Sequence, residues 1–164
     1  MCWRCDHPDR PEQDYLDELY ATMLQFGWAV QYVESEWAPF AYTVGLTRYD
    51  LPELLITGVS SQRAVRLLNG VARRWVDRGA PTPGTQFTVP SGPLIEVVEV
   101  DHPDAHLNSA VAFFGSEISA LQLVWADKRG RWPWAQDFNR DFNNGRDKQP
   151  VLGVRAPCDL DKSG

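Results

Sequence analysis

Apolar residues recur at helical spacing near the start of the chain, where Leu16, Leu19, Tyr20, Met23 and Leu24 fall on one stripe. Pro11 suits a first helical turn, acidic residues follow it, and Gly27 stands where a left-handed cap closes, so a helix is expected over 11–26. The period then shortens to two. Runs at 29–35, 40–45 and 53–58 are rich in β-branched and aromatic residues and bounded by Pro, Gly or Asp, which predicts a strand meander. A second helix is expected over 62–78, after Ser60-Ser61 and before Gly79, with Ala64, Leu68, Val71, Ala72 and Trp75 on one face and every arginine on the other. Proline and glycine dominate 80–93, a long connection holding one short strand at 86–89, and loops of this length are often functional. A strand over 94–100, a third helix burying Leu107, Ala110, Val111 and Phe114, and a strand over 121–126 follow. Asp127-Lys128-Arg129-Gly130 and Asn143-Asn144-Gly145 read as turns, and 151–154 as a return to the sheet. Six or seven short strands with about three helices set between hairpins predict a single α+β domain with a largely antiparallel sheet. The expected boundaries are an N-terminal Cys/His arm over 1–10, the domain over 11–155 and a loose tail over 156–164.

Composition narrows the class. At 164 residues with 43% hydrophobic and 12% aromatic content, the chain has enough apolar surface for one self-sufficient core. Its net charge of -6 is concentrated: residues 1–36 carry Asp6, Asp9, Glu12, Asp14, Asp17, Glu18, Glu34 and Glu36 against Arg4 and Arg10. An acidic protein lacks the basic surface that displaces counterions from phosphates, so a nucleic-acid partner is not expected. No run approaches the roughly 18 apolar residues that would span a bilayer, and Met1-Cys2-Trp3-Arg4-Cys5-Asp6 is not a signal-peptide opening. A cytoplasmic location without membrane attachment is the expectation. Glycine-rich phosphate loops, the H-E-x-x-H zinc helix and the G-x-S-x-G nucleophile elbow are all missing from the sequence.

Three groups of residues carry candidate chemistry. Cys2-x-x-Cys5 with His7 has the spacing of soft-metal ligands, and zinc is the cofactor such a set would take; two reduced thiols and an imidazole in a terminal arm are the plainer alternative. His102 and His106 lie four apart, a spacing that puts two imidazoles on one helix face for acid/base or metal work, with Asp127 or Glu53 as the carboxylate. Pro103 disfavours helical geometry at His102, and His106 also reads as a hydrogen-bonded boundary residue. Trp125, Asp127, Trp132 and Trp134 fall within ten residues around a turn, fit either for core packing or for a pocket wall, while Asp127 also suits an Asx turn. In the meander, Phe40, Tyr42 and Val44 should share one face and Ala41, Thr43 and Gly45 the other, with Glu53 either a rim charge or a carboxylate aimed at a pocket. The arginines of the second helix read as a solvated face.

The string Ala41-Tyr42-Thr43-Val44-Gly45-Leu46-Thr47, then Leu51-Pro52-Glu53-Leu54, Gly58, Leu67-Leu68-Asn69, and Leu121-Gln122-Leu123-Val124-Trp125-Ala126-Asp127 with Trp132-Pro133-Trp134, resembles the domain-of-unknown-function 4262 family of actinobacteria. The Met1-Cys2-Trp3-Arg4-Cys5-Asp6-His7-Pro8 opening and Asp101-His102-Pro103-Asp104-Ala105-His106 are similar to a mycobacterial-type branch. The resemblance implies a small, stand-alone bacterial cytosolic protein and brings no activity or catalytic residues. Three functional readings follow from the residues. The first is a domain binding a small molecule or protein partner in a tryptophan-rich pocket of Tyr42, Thr43, Trp125, Asp127, Trp132 and Trp134. The second is a metal- or histidine-dependent enzyme, hydrolytic in type, using His102 and His106 with Asp127 or Glu53. The third is a zinc-stabilised interaction module centred on Cys2, Cys5 and His7.

Overall fold

The computed structural model describes residues 12–35, 38–138 and 149–157. Cys2, Cys5 and His7, and with them the expected arm, lie outside the described residues. Helix α1 (Glu12–Phe26) ends where Gly27 takes φ 97° and donates its N–H to the Met23 carbonyl at 2.8 Å. Strands β1 (Ala29–Val33), β2 (Phe40–Val44) and β3 (Glu53–Thr57) form the expected meander, with a 3-10 turn, Leu46–Tyr49, between the last two. Helix α2 (Ser61–Arg78) is capped by Ser60, whose hydroxyl accepts from the Arg63 N–H, and is closed by Gly79 at φ 85°. Its buried stripe is Ala64, Leu67, Leu68, Val71, Ala72 and Trp75. The chain then crosses to β4 (Gln86–Thr88) and β5 (Leu94–Glu99), passes through the 3-10 turn Pro103–Ala105 and helix α3 (Asn108–Phe114), and ends the sheet with β6 (Ala120–Trp125).

The six strands are ordered β1-β2-β3-β6-β5-β4. Every neighbouring pair is antiparallel except β3 with β6, so a largely antiparallel sheet holds one parallel seam at its centre. Both faces are covered. On one, α2 packs against Ala41, Leu54, Ile56, Ile95, Val97, Leu121, Leu123 and Trp125. On the other, Leu19 and Met23 of α1 and Ala110 of α3 pack against Ala29, Tyr42, Val44, Leu55 and Ala120. Each fully buried Leu, Ile or Val contributes about 1.5–3 kcal/mol, and the inner strands are buried along their length, as β3 and β6 show. Among the described residues no helix is long and apolar enough to cross a membrane.

The return strand expected at 151–154 does not form. Residues 149–155 instead run as a strap whose backbone is held by glutamine side chains. Gln149 exchanges two 2.8 Å bonds with the backbone N–H and C=O of Trp125, and Gln122 donates to the Pro150 carbonyl while accepting the Leu152 N–H. Pro150 has no N–H to offer a ladder, and a Cβ at Gly153 would collide with the Glu99 carbonyl. The side-chain amides thus replace strand pairing at a place where the backbone cannot supply it.

Candidate functional site

Glu53 opens β3 and is completely enclosed, so its environment follows from the turn that precedes it. Gly45 has φ 131°, which redirects the chain after β2 so that three successive backbone N–H groups converge. Oε1 of Glu53 accepts from Leu46 N at 2.7 Å and Gly45 N at 2.9 Å; Oε2 receives longer bonds of 3.3 Å from Thr47 N and the Thr47 hydroxyl. Thr43 donates to Oε1 and accepts the Leu54 N–H at 2.8 Å, taking the place of a ladder bond. Burial pushes the Glu53 carboxyl up to about 7, against the opposing pull of these N–H donors and the Thr47 hydroxyl. The two shortest bonds fall on Oε1, while Oε2 receives only 3.3 Å bonds from Gly45 and Thr47. Glu53 therefore fastens the turn between β2 and β3 from beneath and has no open path to solvent.

The remaining sequence candidates are dispersed. Tyr42 and Trp125 are on opposite faces of the sheet, the first against α1 and α3 and the second against α2. The Tyr42 hydroxyl accepts the Ser109 N–H at 3.0 Å, and the Trp125 indole donates to the Thr57 carbonyl at 2.9 Å, so each buried aromatic has its polar tip satisfied within the core. Thr43 belongs to the Glu53 turn. Trp132 and Trp134 stack on one another with centroids 5.3 Å apart, and Arg155 lies 3.9 Å over Trp134 while gripping Glu96 at 2.7 and 2.9 Å. That stack ties the strap to the 131–138 loop. Asp127 is an Asx-type anchor: its carboxylate accepts from the N–H groups of Arg129 and Arg131 and from Arg131 Nε at 2.7 Å. His102 is exposed with φ 50° at the head of a 3-10 turn, and His106 closes that turn half-buried. Neither imidazole meets Asp127 or Glu53. Among the described residues no three His, Cys, Asp or Glu side chains gather as a metal site.

A different cleft brings an arginine of α2 against a serine-bearing turn. Two adjoining hollows of about 300 and 390 Å³ share Arg63, Ser91, Gly92 and Pro93, between the first turns of α2 and the loops that flank β5 and β6. The Arg63 guanidinium sits 5.7 Å from the centroid of the Trp125 ring and, among the described residues, has no carboxylate partner. Arg66 extends the lining of one hollow and Lys128 that of the other. The single carboxylate in the lining, Asp127, is already engaged by Arg131. The facing wall is a tight turn in which Gly92 N donates to the Val89 carbonyl at 2.9 Å. Pro90 and Ser91 are its central residues, and Ser91 takes φ 57°, a left-handed position that glycine would fill without strain. Neither the backbone N–H nor the hydroxyl of Ser91 has a hydrogen-bond partner among the described residues. The sequence marked this connection only as a long proline- and glycine-rich loop, and placed Arg63 on a solvated helix face. The one available signal was a serine set between Pro90 and Gly92, where the left-handed residue of a Pro-led turn falls.

A family model described as Domain of unknown function (DUF4262) covers residues 22–139, more than half of the chain. No curated protein and no solved structure matches.

Proposed function

The chain belongs to the DUF4262 family, and we propose that it is a binding protein for a small oxyanion-bearing ligand held between α2 and the 89–93 turn. The observation that carries this reading is Arg63: a half-buried arginine, backed by an indole face, that lines both hollows and makes no ion pair among the described residues. An arginine fork matches the two oxygens of a carboxylate or phosphate, and a backing ring restricts its rotamers before the ligand arrives. Ser91 supplies an N–H and a hydroxyl from the opposite wall, on a turn stiffened by Pro90 and Pro93. A hollow of this size admits a ligand of metabolite dimensions and excludes a polymer. This retains binding as the function and moves the site from the tryptophans expected in the sequence to the arginine cleft beside Trp125.

The reading is tested by thermal shift with inorganic phosphate, sulfate and citrate, comparing the native chain with Arg63→Met and Ser91→Gly. At least one of these anions should raise the melting temperature of the native protein saturably. Arg63→Met, which keeps the alkyl stem over the indole, should remove that response. Ser91→Gly should melt at or above the native temperature while responding more weakly, because it relieves the left-handed strain and deletes the hydroxyl. A native-like response from Arg63→Met would overturn the proposal.

A further inference from the structure

The two hollows that meet at Arg63 differ in charge. The smaller, about 300 Å³, is lined by Arg63 and Arg66 and by no acidic residue. The larger, about 390 Å³, has Asp127 and Lys128 besides Arg63, two charges of opposite sign, together with Pro93, Leu94 and Ala126. Positive charge in the smaller hollow is uncompensated. Arg63 and Arg66 are three residues apart on α2, so their side chains are neighbours on one face and repel. Neither makes an ion pair among the described residues. Arg63 also lies in the first turn of α2, where the helix dipole disfavours a cation, and no acidic residue stands there to offset it. A helix that begins this way is stabilised by a bound anion, and by a dianion more than by a monoanion.

Charge and oxygen number separate the candidate oxyanions. A carboxylate carries one charge and two oxygens, which a single guanidinium fork satisfies. That would leave Arg66 unmatched. A phosphate monoester has three terminal oxygens and, above its second pKa of about 6, close to two negative charges. Such a group can engage Arg63 and Arg66 together and keep an oxygen for Ser91 on the facing turn. The remaining oxygen bears the organic group. The adjoining hollow suits an uncharged one, because its own two charges offset each other and Pro93, Leu94 and Ala126 supply apolar surface.

We propose that the ligand of the arginine cleft is a phosphate monoester, with its dianionic phosphate at Arg63 and Arg66 in the smaller hollow and an uncharged organic group against Pro93, Leu94 and Ala126 in the larger. The proposal rests on this cleft binding an oxyanion and adds the charge and shape of the ligand.

Phenyl phosphate, phenyl sulfate and benzoate present one ring on three anions, and amide NMR titrations of the full chain at pH 7 and pH 5 give their dissociation constants. Phenyl phosphate should bind about tenfold or more tightly than the other two at pH 7, the effect of one added charge-assisted contact. At pH 5 only about a tenth of it is dianion, so its lead over phenyl sulfate should shrink to about twofold. The sulfate ester stays a monoanion throughout and so reports any titration of the protein itself, whose charged groups lining the cleft are Arg63, Arg66, Asp127 and Lys128. Arg66→Met, at an exposed position, should erase the lead at pH 7 while all three probes still bind through Arg63. Methyl phosphate should shift the Ser91 and Gly92 amides alone, whereas phenyl phosphate should also shift Ala126 and Gly130. Phenyl sulfate or benzoate binding as tightly as phenyl phosphate at pH 7, a lead that does not fall with pH, or one that survives in Arg66→Met would overturn the phosphate monoester and leave an oxyanion cleft standing. So would identical shift patterns from methyl and phenyl phosphate. Absence of binding by all of the probes would overturn the proposal and the oxyanion reading together.

Discussion

Replacing Glu53 by glutamine isolates the titration of a buried carboxyl. The side chain is enclosed, and burial raises its pKa from 4.5 to about 7. At about 1.4 kcal/mol per unit, that displacement corresponds to roughly 3 kcal/mol of preference for the neutral acid in the folded chain. Because the folded value lies above the unfolded one, the contribution is complete below pH 4.5 and is lost as pH rises through about 7. Glu53→Gln removes this dependence. It also sets an amide NH2 against the Thr47 N–H, so the variant should be less stable than the native chain at pH 5. Urea unfolding followed by tryptophan fluorescence at half-unit steps from pH 5 to pH 8 reads the difference between the two proteins. That difference should shrink by about 2–3 kcal/mol across the range. A difference that stays flat or grows with pH would refute the reasoning, because it would mean that the N–H groups of Gly45, Leu46 and Thr47 outweigh burial and hold Glu53 ionised.

Other positions give sharper single outcomes. Gly45→Ala should destabilise by about 2–4 kcal/mol in the same assay, because its Cβ would sit 2.9 Å from the Gly27 carbonyl and Trp28 Cα at a φ of 131°. Gly153→Ala should detach the 149–155 strap from the sheet, seen as faster exchange of the Asp101 amide that donates to the Leu152 carbonyl at 2.8 Å. Arg155→Ala should cost about 1 kcal/mol after solvent screening of a partly exposed guanidinium. Burial alone would raise Glu96, but the hydrogen bonds from Arg155 and Gln86 and the Arg155 charge hold its carboxyl below the usual range. Its contribution is therefore present above the ordinary carboxylate pKa and is lost as pH falls through the lowered one, a loss that Arg155→Ala should abolish in acid titrations of stability.

Much of the fold was legible because it rests on local periodicity. The α2 stripe and the alternation of the meander each appear as a short-range pattern, and the observed elements match them to within a residue or two. The parallel seam between β3 and β6 was not legible, since it depends on pairing Glu53 with Ala120 across a long separation. Nor could Gly45-Leu46-Thr47 be read as a nest for Glu53, because locally those residues continue a strand and only the tertiary fold brings the carboxylate beneath them. The tryptophan cluster shows a different limit. Closeness in sequence put Trp125 beside Trp132 and Trp134, but β6 turns Trp125 into the α2 core while the loop stacks the other two on Arg155. Alternation separates the faces of Tyr42 and Thr43 correctly, yet says nothing about which helix covers which face.

Amide NMR of the full chain titrated with inorganic phosphate and citrate tests the arginine cleft most directly. The predicted result is a saturable set of shifts centred on Ser91, Gly92 and the Trp125 indole N–H, absent from Arg63→Met, with His102 and His106 unmoved. Shifts centred instead on Trp132 and Trp134, or a response that survives in Arg63→Met, would contradict it.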